Sequence, residues 1–172
     1  MKIENKNSIL TVTDFDEIEA YIVACKIEQD GIDFYKKLLE KSRDPKVKGA
    51  LDFLLKEEEK HLKLFANAFH AIKEQADSDY DEDDLLTSKD YGIFHPFADY
   101  NDSEKIVNNT KKAFSLGILI EHNSIEYYTI CKKNVSGLKV KKEIENIIEE
   151  EKRHKLLFKK LLQNIICKNK NM

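Results

Sequence analysis

One short pattern occurs twice in the sequence, and its repetition limits the fold more than any other feature does. In the first copy Glu58 and His61 interrupt an apolar stripe that steps by threes and fours through Leu51, Leu54, Leu55, Leu62, Phe65, Phe69 and Ile72. In the second, Glu151 and His154 interrupt Ile144, Ile147, Ile148, Phe158, Leu161 and Ile165. Each Glu-x-x-His follows a further glutamate at one fixed distance, Glu28 lying 30 residues before Glu58 and Glu121 lying 30 residues before Glu151. These two again sit in apolar stripes, Glu28 among Ile18, Tyr21, Cys25, Ile32, Tyr35 and Leu39, and Glu121 among Phe114, Gly117, Ile118, Ile125 and Tyr128. The stretches from Glu28 to Tyr35 and from Glu121 to Tyr128 match locally, which makes the pattern an internal duplication offset by 93 residues.

A helical period sustained over such runs, with only 5 Gly and 2 Pro in 172 residues, predicts an all-α chain with one hydrophobic core. The net charge of -3 offers no basic field for nucleic acid or an anionic membrane, although a short lysine-rich tail follows Ile166. No stretch approaches the roughly 18 apolar residues of a membrane span, and the start lacks a basic then apolar leader. Cys25, Cys131 and Cys167 have no Cys-x-x-Cys spacing, which excludes a local zinc or rubredoxin-type iron centre and fits a reducing compartment. The expectation is a soluble, cytoplasmic protein that binds neither nucleic acid nor membrane.

Residues 1–13 lack helical periodicity and read as a loosely held extension, with Thr13 or Asp14 as the cap of a first helix running to about Lys41. Ser42-Arg43-Asp44-Pro45 then supplies a breaker, an N-cap and a proline at the first position of a second helix that ends near Glu74. Periodicity is lost over 75–102. The Asp77, Asp79, Asp81 start there lacks both the glycine and the closing glutamate of a calcium loop, and His95-Pro96 reads as a turn. Asp83 to Thr87 suits a short helical turn. The segment either crosses back along the bundle or forms a loop between up-down neighbours. A third helix is expected from about Ser103, capped by Asn101 or Asp102, to Lys133, and after the turn Asn134 to Gly137 a fourth continues to about Cys167. The helical unit thus spans 14–168, with 169–172 as a tail.

The midpoint between Glu28 and Glu58 is residue 43 and that between Glu121 and Glu151 is Ser136, each in the turn of a helical hairpin. Folding each hairpin therefore sets its ligands level, and two hairpins packed notch to notch bring four carboxylates and two imidazoles to mid-bundle. So many carboxylates in an apolar core repel one another unless cations offset them, and two divalent ions balance four charges. In this reading Glu58 and Glu151 bridge two metals, Glu28 and Glu121 are terminal ligands, and His61 and His154 complete one metal each. Carboxylate with imidazole suits iron or manganese, with zinc able to replace them after recombinant expression. Tyr35 and Tyr128, two turns beyond Glu28 and Glu121, either orient a ligand carboxylate from behind or simply pack in the core.

The set Glu28, Glu58-x-x-His61, Glu121, Glu151-x-x-His154 resembles the ferritin-like superfamily and most of all its rubrerythrin group, over about Asp14 to Cys167. The resemblance implies a ferritin-like four-helix bundle of two antiparallel hairpins joined by a long crossover, a carboxylate-bridged di-iron centre and a homodimer. It implies an oxidoreductase that reduces hydrogen peroxide or dioxygen with electrons from a rubredoxin-like centre. Two departures stand out. Ser124 occupies the place where rubrerythrins carry an additional glutamate, and the four-cysteine rubredoxin domain is absent, so electrons have to come from a separate protein. The alternatives are a ferroxidase or iron-storage subunit, a manganese catalase-like protein, and a non-enzymatic helical interaction protein.

Overall fold

The computed structural model describes residues 1–6, 9–76 and 109–170. Its helices are α1 (Glu17–Lys41), α2 (Pro45–Ala76), α3 (Thr110–Asn134) and α4 (Leu138–Lys170). They form an all-α bundle of two packed pairs, α1 with α2 and α3 with α4.

Local chemistry sets the helix ends. The Asp16 carboxylate accepts from the Glu19 backbone N–H at 2.7 Å, and Glu17 and Glu19 place negative charge on the first turn. Ser42 closes α1 by donating its backbone N–H to the Leu38 carbonyl. Two residues on, Asp44 accepts from the Lys46 N–H at 2.9 Å ahead of Pro45. Asn109 caps α3 by accepting from the Lys112 N–H at 3.1 Å. That start falls seven residues after Ser103, because the capping geometry forms at Asn109. The reversal into α4 needs a left-handed residue, which Gly137 supplies at φ 87. The readings made on residues 77–108, namely most of the crossover, the Asp83 to Thr87 turn, His95-Pro96 and the Asn101 or Asp102 cap, lie outside the described residues.

Residues 1–6 and 9–13 are better organised than expected. Strands β1 (Lys2–Lys6) and β2 (Ile9–Thr13) pair antiparallel, with Ile3 opposite Val12 and Asn5 opposite Leu10. Leu10 is buried, Ile3 packs against the core, and the N-terminal ammonium pairs with Glu19 of α1. A two-residue period over β-branched side chains holds this hairpin, and a helical period cannot reveal it.

Apolar stripes from all four helices meet in a core that includes Ile22, Phe34, Leu51, Leu54, Phe65, Phe69, Phe114, Ile144, Ile147 and Phe158. Burying each of these side chains contributes about 1.5–3 kcal/mol against leaving it in water. At one place the helices need a glycine. A Cβ on Gly117 would lie 2.8 Å from the Phe158 ring, so α3 can approach that ring only without a side chain.

Cross-helix contacts fix the helix directions. Tyr35 of α1 reaches Glu121 of α3, whereas Tyr128, later on α3, reaches Glu28, earlier on α1. These two helices are therefore antiparallel. In the same way His61 of α2 meets Glu150 of α4 and His154 meets Glu58, so α2 and α4 are antiparallel too. Among the described residues no helix is long and apolar enough to cross a membrane.

Candidate metal centre

The glutamates and histidines that interrupt the apolar stripes face inward, since their own helices bury that face. Glu28 comes from α1, Glu58 and His61 from α2, Glu121 from α3, and Glu151 and His154 from α4, and all six are buried. The structure brings the whole set together in two overlapping groups. One holds Glu28, Glu58, His61 and Glu151, the other Glu58, Glu121, Glu151 and His154, and in each the potential ligand atoms lie within 4.8 Å of one another. Glu58 and Glu151 belong to both groups. The imidazoles stack with centroids 5.9 Å apart. His61 turns Nδ1 toward Glu151 at 3.0 Å and Glu58 at 3.3 Å, while His154 turns Nδ1 toward Glu151 at 3.2 Å and Glu58 at 3.3 Å.

Behind the carboxylates stand the two tyrosines, arranged crosswise. Tyr35 donates its hydroxyl to Glu121, and Tyr128 donates to Glu28, so each phenol serves the glutamate of the other hairpin. A separation of seven residues along a helix is roughly 10 Å, too far for a phenol to reach the glutamate of its own helix. The antiparallel pairing of α1 and α3 closes that distance. Both phenols are also fully buried in the core, so packing and orientation are served by the same side chains.

Electrostatics divides the carboxylates into two kinds. Burial and the nearby charge of Glu58 push Glu28 well above the usual carboxyl range, and burial with the charges of Glu151 and Glu58 does the same to Glu121. Burial acts on the two shared glutamates as well, but the imidazoles of His154 and His61 beside them overcome it and hold Glu58 and Glu151 below that range. The imidazoles respond in kind. Against burial, the carboxylates of Glu151 and Glu58 raise His154 to about 10, and those of Glu151 and Glu28 raise His61 further. The cluster therefore favours positive charge at its centre, whether as protons or as metal ions.

One detail shows how the set can take a metal. The outer nitrogen of His61, Nε2, lies 2.8 Å from Glu150 Oε2 on α4, and an acidic partner there fixes the N–H on Nε2. In the neutral ring Nδ1 then presents a lone pair to the centre, where Glu151 Oε1 also presents one, and neither atom has a hydrogen-bond partner within the protein. Between these two buried atoms, 3.0 Å apart, either a proton on Nδ1 or a metal ion supplies the missing positive charge. With four carboxylates and two imidazole nitrogens, the donor set suits iron, manganese or zinc.

Glu150 escapes a sequence reading because it lies off the apolar stripe, inside the run Glu149, Glu150, Glu151. Its role depends on which helix faces α4. Ser124 is buried and gives its hydroxyl to the Ile120 carbonyl at 3.1 Å, in the manner of a helix-internal serine. At the equivalent place on α1 stands Gly31, where an added Cβ would meet Glu58 at 3.8 Å. Neither hairpin offers an additional carboxylate one turn after its first glutamate. Cys25 and Cys131 are buried thiols that burial pushes up to about 12, which keeps them protonated and unsuited as ligands. Compared with family models, curated proteins and solved structures, the chain matches none of them, so the site stands on its own residues.

Proposed function

We propose that the chain is a rubrerythrin-like, ferritin-like di-iron oxidoreductase that reduces hydrogen peroxide or dioxygen with electrons from a separate, rubredoxin-like donor. The observation that carries this reading is the sharing of Glu58 and Glu151 between two groups of buried ligands, each completed by its own glutamate and imidazole. A single structural ion would not call for two such groups. The helix directions support the ferritin-like topology. Because α1 is antiparallel to both α2 and α3, α2 and α3 run the same way, and the chain from Ala76 to Thr110 joins opposite ends of the bundle. A helix the length of α2 spans roughly 48 Å at 1.5 Å per residue, which the intervening residues can cover as a crossover.

In this reading Glu58 and Glu151, which belong to both groups, would be shared between two metals, Glu28 and Glu121 would each hold one, and His61 and His154 would offer Nδ1. When bound, a pair of ferrous ions supplies two electrons together to one oxidant. The protein residues do the remaining work. The buried bundle walls exclude bulk water from the ligands, and Glu150, by holding the outer nitrogen of His61, would turn its inner nitrogen toward a bound metal. The phenols of Tyr35 and Tyr128 are held well above their usual pKa, Tyr35 by burial and Glu121 and Tyr128 by burial and Glu28. They stay protonated and steady the terminal carboxylates through donated hydrogen bonds. Ser124 and Gly31 add no ligand, so a bound metal pair would keep room for a small oxygen species. A cytoplasmic homodimer fed by the external donor completes the proposal.

The test begins with metal analysis of protein purified without oxygen from iron-replete cells, followed by stopped-flow mixing of the diferrous protein with peroxide and with dioxygen. The expected result is two irons per chain, oxidation faster than that of free ferrous iron, and re-reduction only when a rubredoxin and its reductase are added. Peroxide dismutation without a donor would establish the catalase reading, and ferric mineral growing within a large assembly the storage reading. Protein without stoichiometric metal would leave the helical interaction protein.

A further inference from the structure

The two metal positions are built from duplicated sequence, yet their histidines are supported differently. On α4, Glu150 Oε2 takes the outer nitrogen of His61 at 2.8 Å, and its other oxygen meets Arg153 at 3.3 Å. The duplication places Glu57 on α2 as the counterpart of Glu150 and Lys60 as the counterpart of Arg153. Facing α4 as Glu150 faces α2, Glu57 would support His154. Instead it accepts from Lys60 on its own helix at 2.5 Å. Among the described residues no carboxylate reaches the outer nitrogen of His154. What that ring meets is Phe53, edge-on with centroids 6.4 Å apart, and Phe53 is 52% exposed.

We infer that the centre is functionally asymmetric: Glu150 positions His61 and makes that half a tight metal site, while the His154 half is an exchangeable site that loads last and empties first. This rests on the di-metal reading above. A carboxylate on the outer N–H of a metal-bound imidazole fixes its tautomer and ring orientation and strengthens its donor nitrogen, and losing such a partner costs roughly 10–100-fold in affinity. His61 has this support. His154 lacks it, and its ring lies behind an exposed phenyl group where metal can come and go. At limiting metal the protein then holds one ion, at Glu28, Glu58, His61 and Glu151.

Two variants isolate the halves. His154→Ala retains the His61 side and His61→Ala retains the His154 side, and each is titrated in metal-free form with cobalt(II) against a competing chelator. The His154→Ala protein should bind one ion at least about tenfold more tightly than the His61→Ala protein. Adding Glu150→Ala should weaken the His154→Ala protein by roughly 10–100-fold and leave the His61→Ala protein unchanged. Glu57→Ala should move neither. In zinc-loaded wild type, nitrogen-edited NMR should detect the His61 Nε2 proton as a slowly exchanging imidazole signal, absent in Glu150→Ala. Equal affinities in the two single variants, or an unmoved affinity when Glu150 is removed, would overturn the asymmetry while leaving the di-metal reading intact. Absence of binding in the wild type would overturn both. Circular dichroism of the metal-free proteins confirms folding, and Glu150→Gln, which keeps an acceptor without the charge, serves if the alanine variant does not fold.

Discussion

The hairpin of α1 and α2 and the hairpin of α3 and α4 are two versions of one design, alike where they meet the centre and different where they meet each other or the surface. Both carry a buried glutamate, a Glu-x-x-His and a tyrosine that crosses to the other half. Around that shared set the residues diverge. Gly31 stands opposite Ser124 and Ala24 opposite Gly117, and Glu57 and Glu150, though the same residue, take different partners. The inward positions answer to one chemistry and so stay equivalent. The others answer to whatever neighbour each helix has, and their side chains serve different ends. Comparing the halves thus separates what the centre requires from what the bundle requires.

The largest effect should come from breaking the shared positions. Glu58→Ala or Glu151→Ala removes an oxygen donor from both groups and should leave no stoichiometric metal, whereas Glu28→Ala or Glu121→Ala should leave one ion per chain. Titration with metal to saturation, with the bound ion counted at equilibrium, reads the difference. An equal loss from all four substitutions would mean that Glu58 and Glu151 are not special.

Without metal the same comparison becomes one of stability. Glu58 and Glu151 are ionised partners of two buried imidazoles, so replacing both by Gln strands positive charge and should destabilise the metal-free protein by about 3–5 kcal/mol. Burial and the neighbouring carboxylates favour the neutral form of Glu28 and Glu121, so Gln at both should cost within about 1 kcal/mol. Urea denaturation measures both. The imidazoles also set a pH profile. His154 is raised to about 10 from an ordinary 6.5, so between those values the folded chain holds a proton that the unfolded chain has lost. Its stabilisation is fully present below 6.5 and disappears as pH rises through about 10. Raised Glu28 and Glu121 act in the same direction above the usual carboxyl range. Metal-free protein should therefore lose stability from neutral to alkaline pH, and bound metal, which replaces those protons, should flatten the decline.

A smaller effect sharpens the comparison away from the centre. Gly117→Ala drives a methyl group into the fully buried Phe158 ring and should cost about 1–3 kcal/mol, with both metals retained. Its counterpart Ala24 already carries that methyl group in the core, and Ala24→Gly should cost about 1 kcal/mol through helix propensity. Thermal unfolding of the two variants tests the pair.

The sequence makes the helical hairpins and the six central residues legible because both obey a local rule, a 3.6-residue period interrupted by polar residues at a repeated spacing. What depends on pairing between distant segments is not legible. Tyr35 and Tyr128 lie on the correct faces in the sequence, but which glutamate each one holds follows from the antiparallel contact of α1 and α3. Glu150 sits in a charged run and gains its role only because α2 faces α4. The N-terminal hairpin is hidden for another reason, since alternation over two five-residue strands is a short signal beside helices of 25 residues or more.

The most direct test of the central claim is anomalous diffraction from crystals of the full chain grown with manganese or iron. Two peaks per chain are expected, one among Glu28, Glu58, His61 and Glu151, the other among Glu58, Glu121, Glu151 and His154. Crystals that carry the same metal elsewhere, with these six side chains in place and no peak between them, would contradict it.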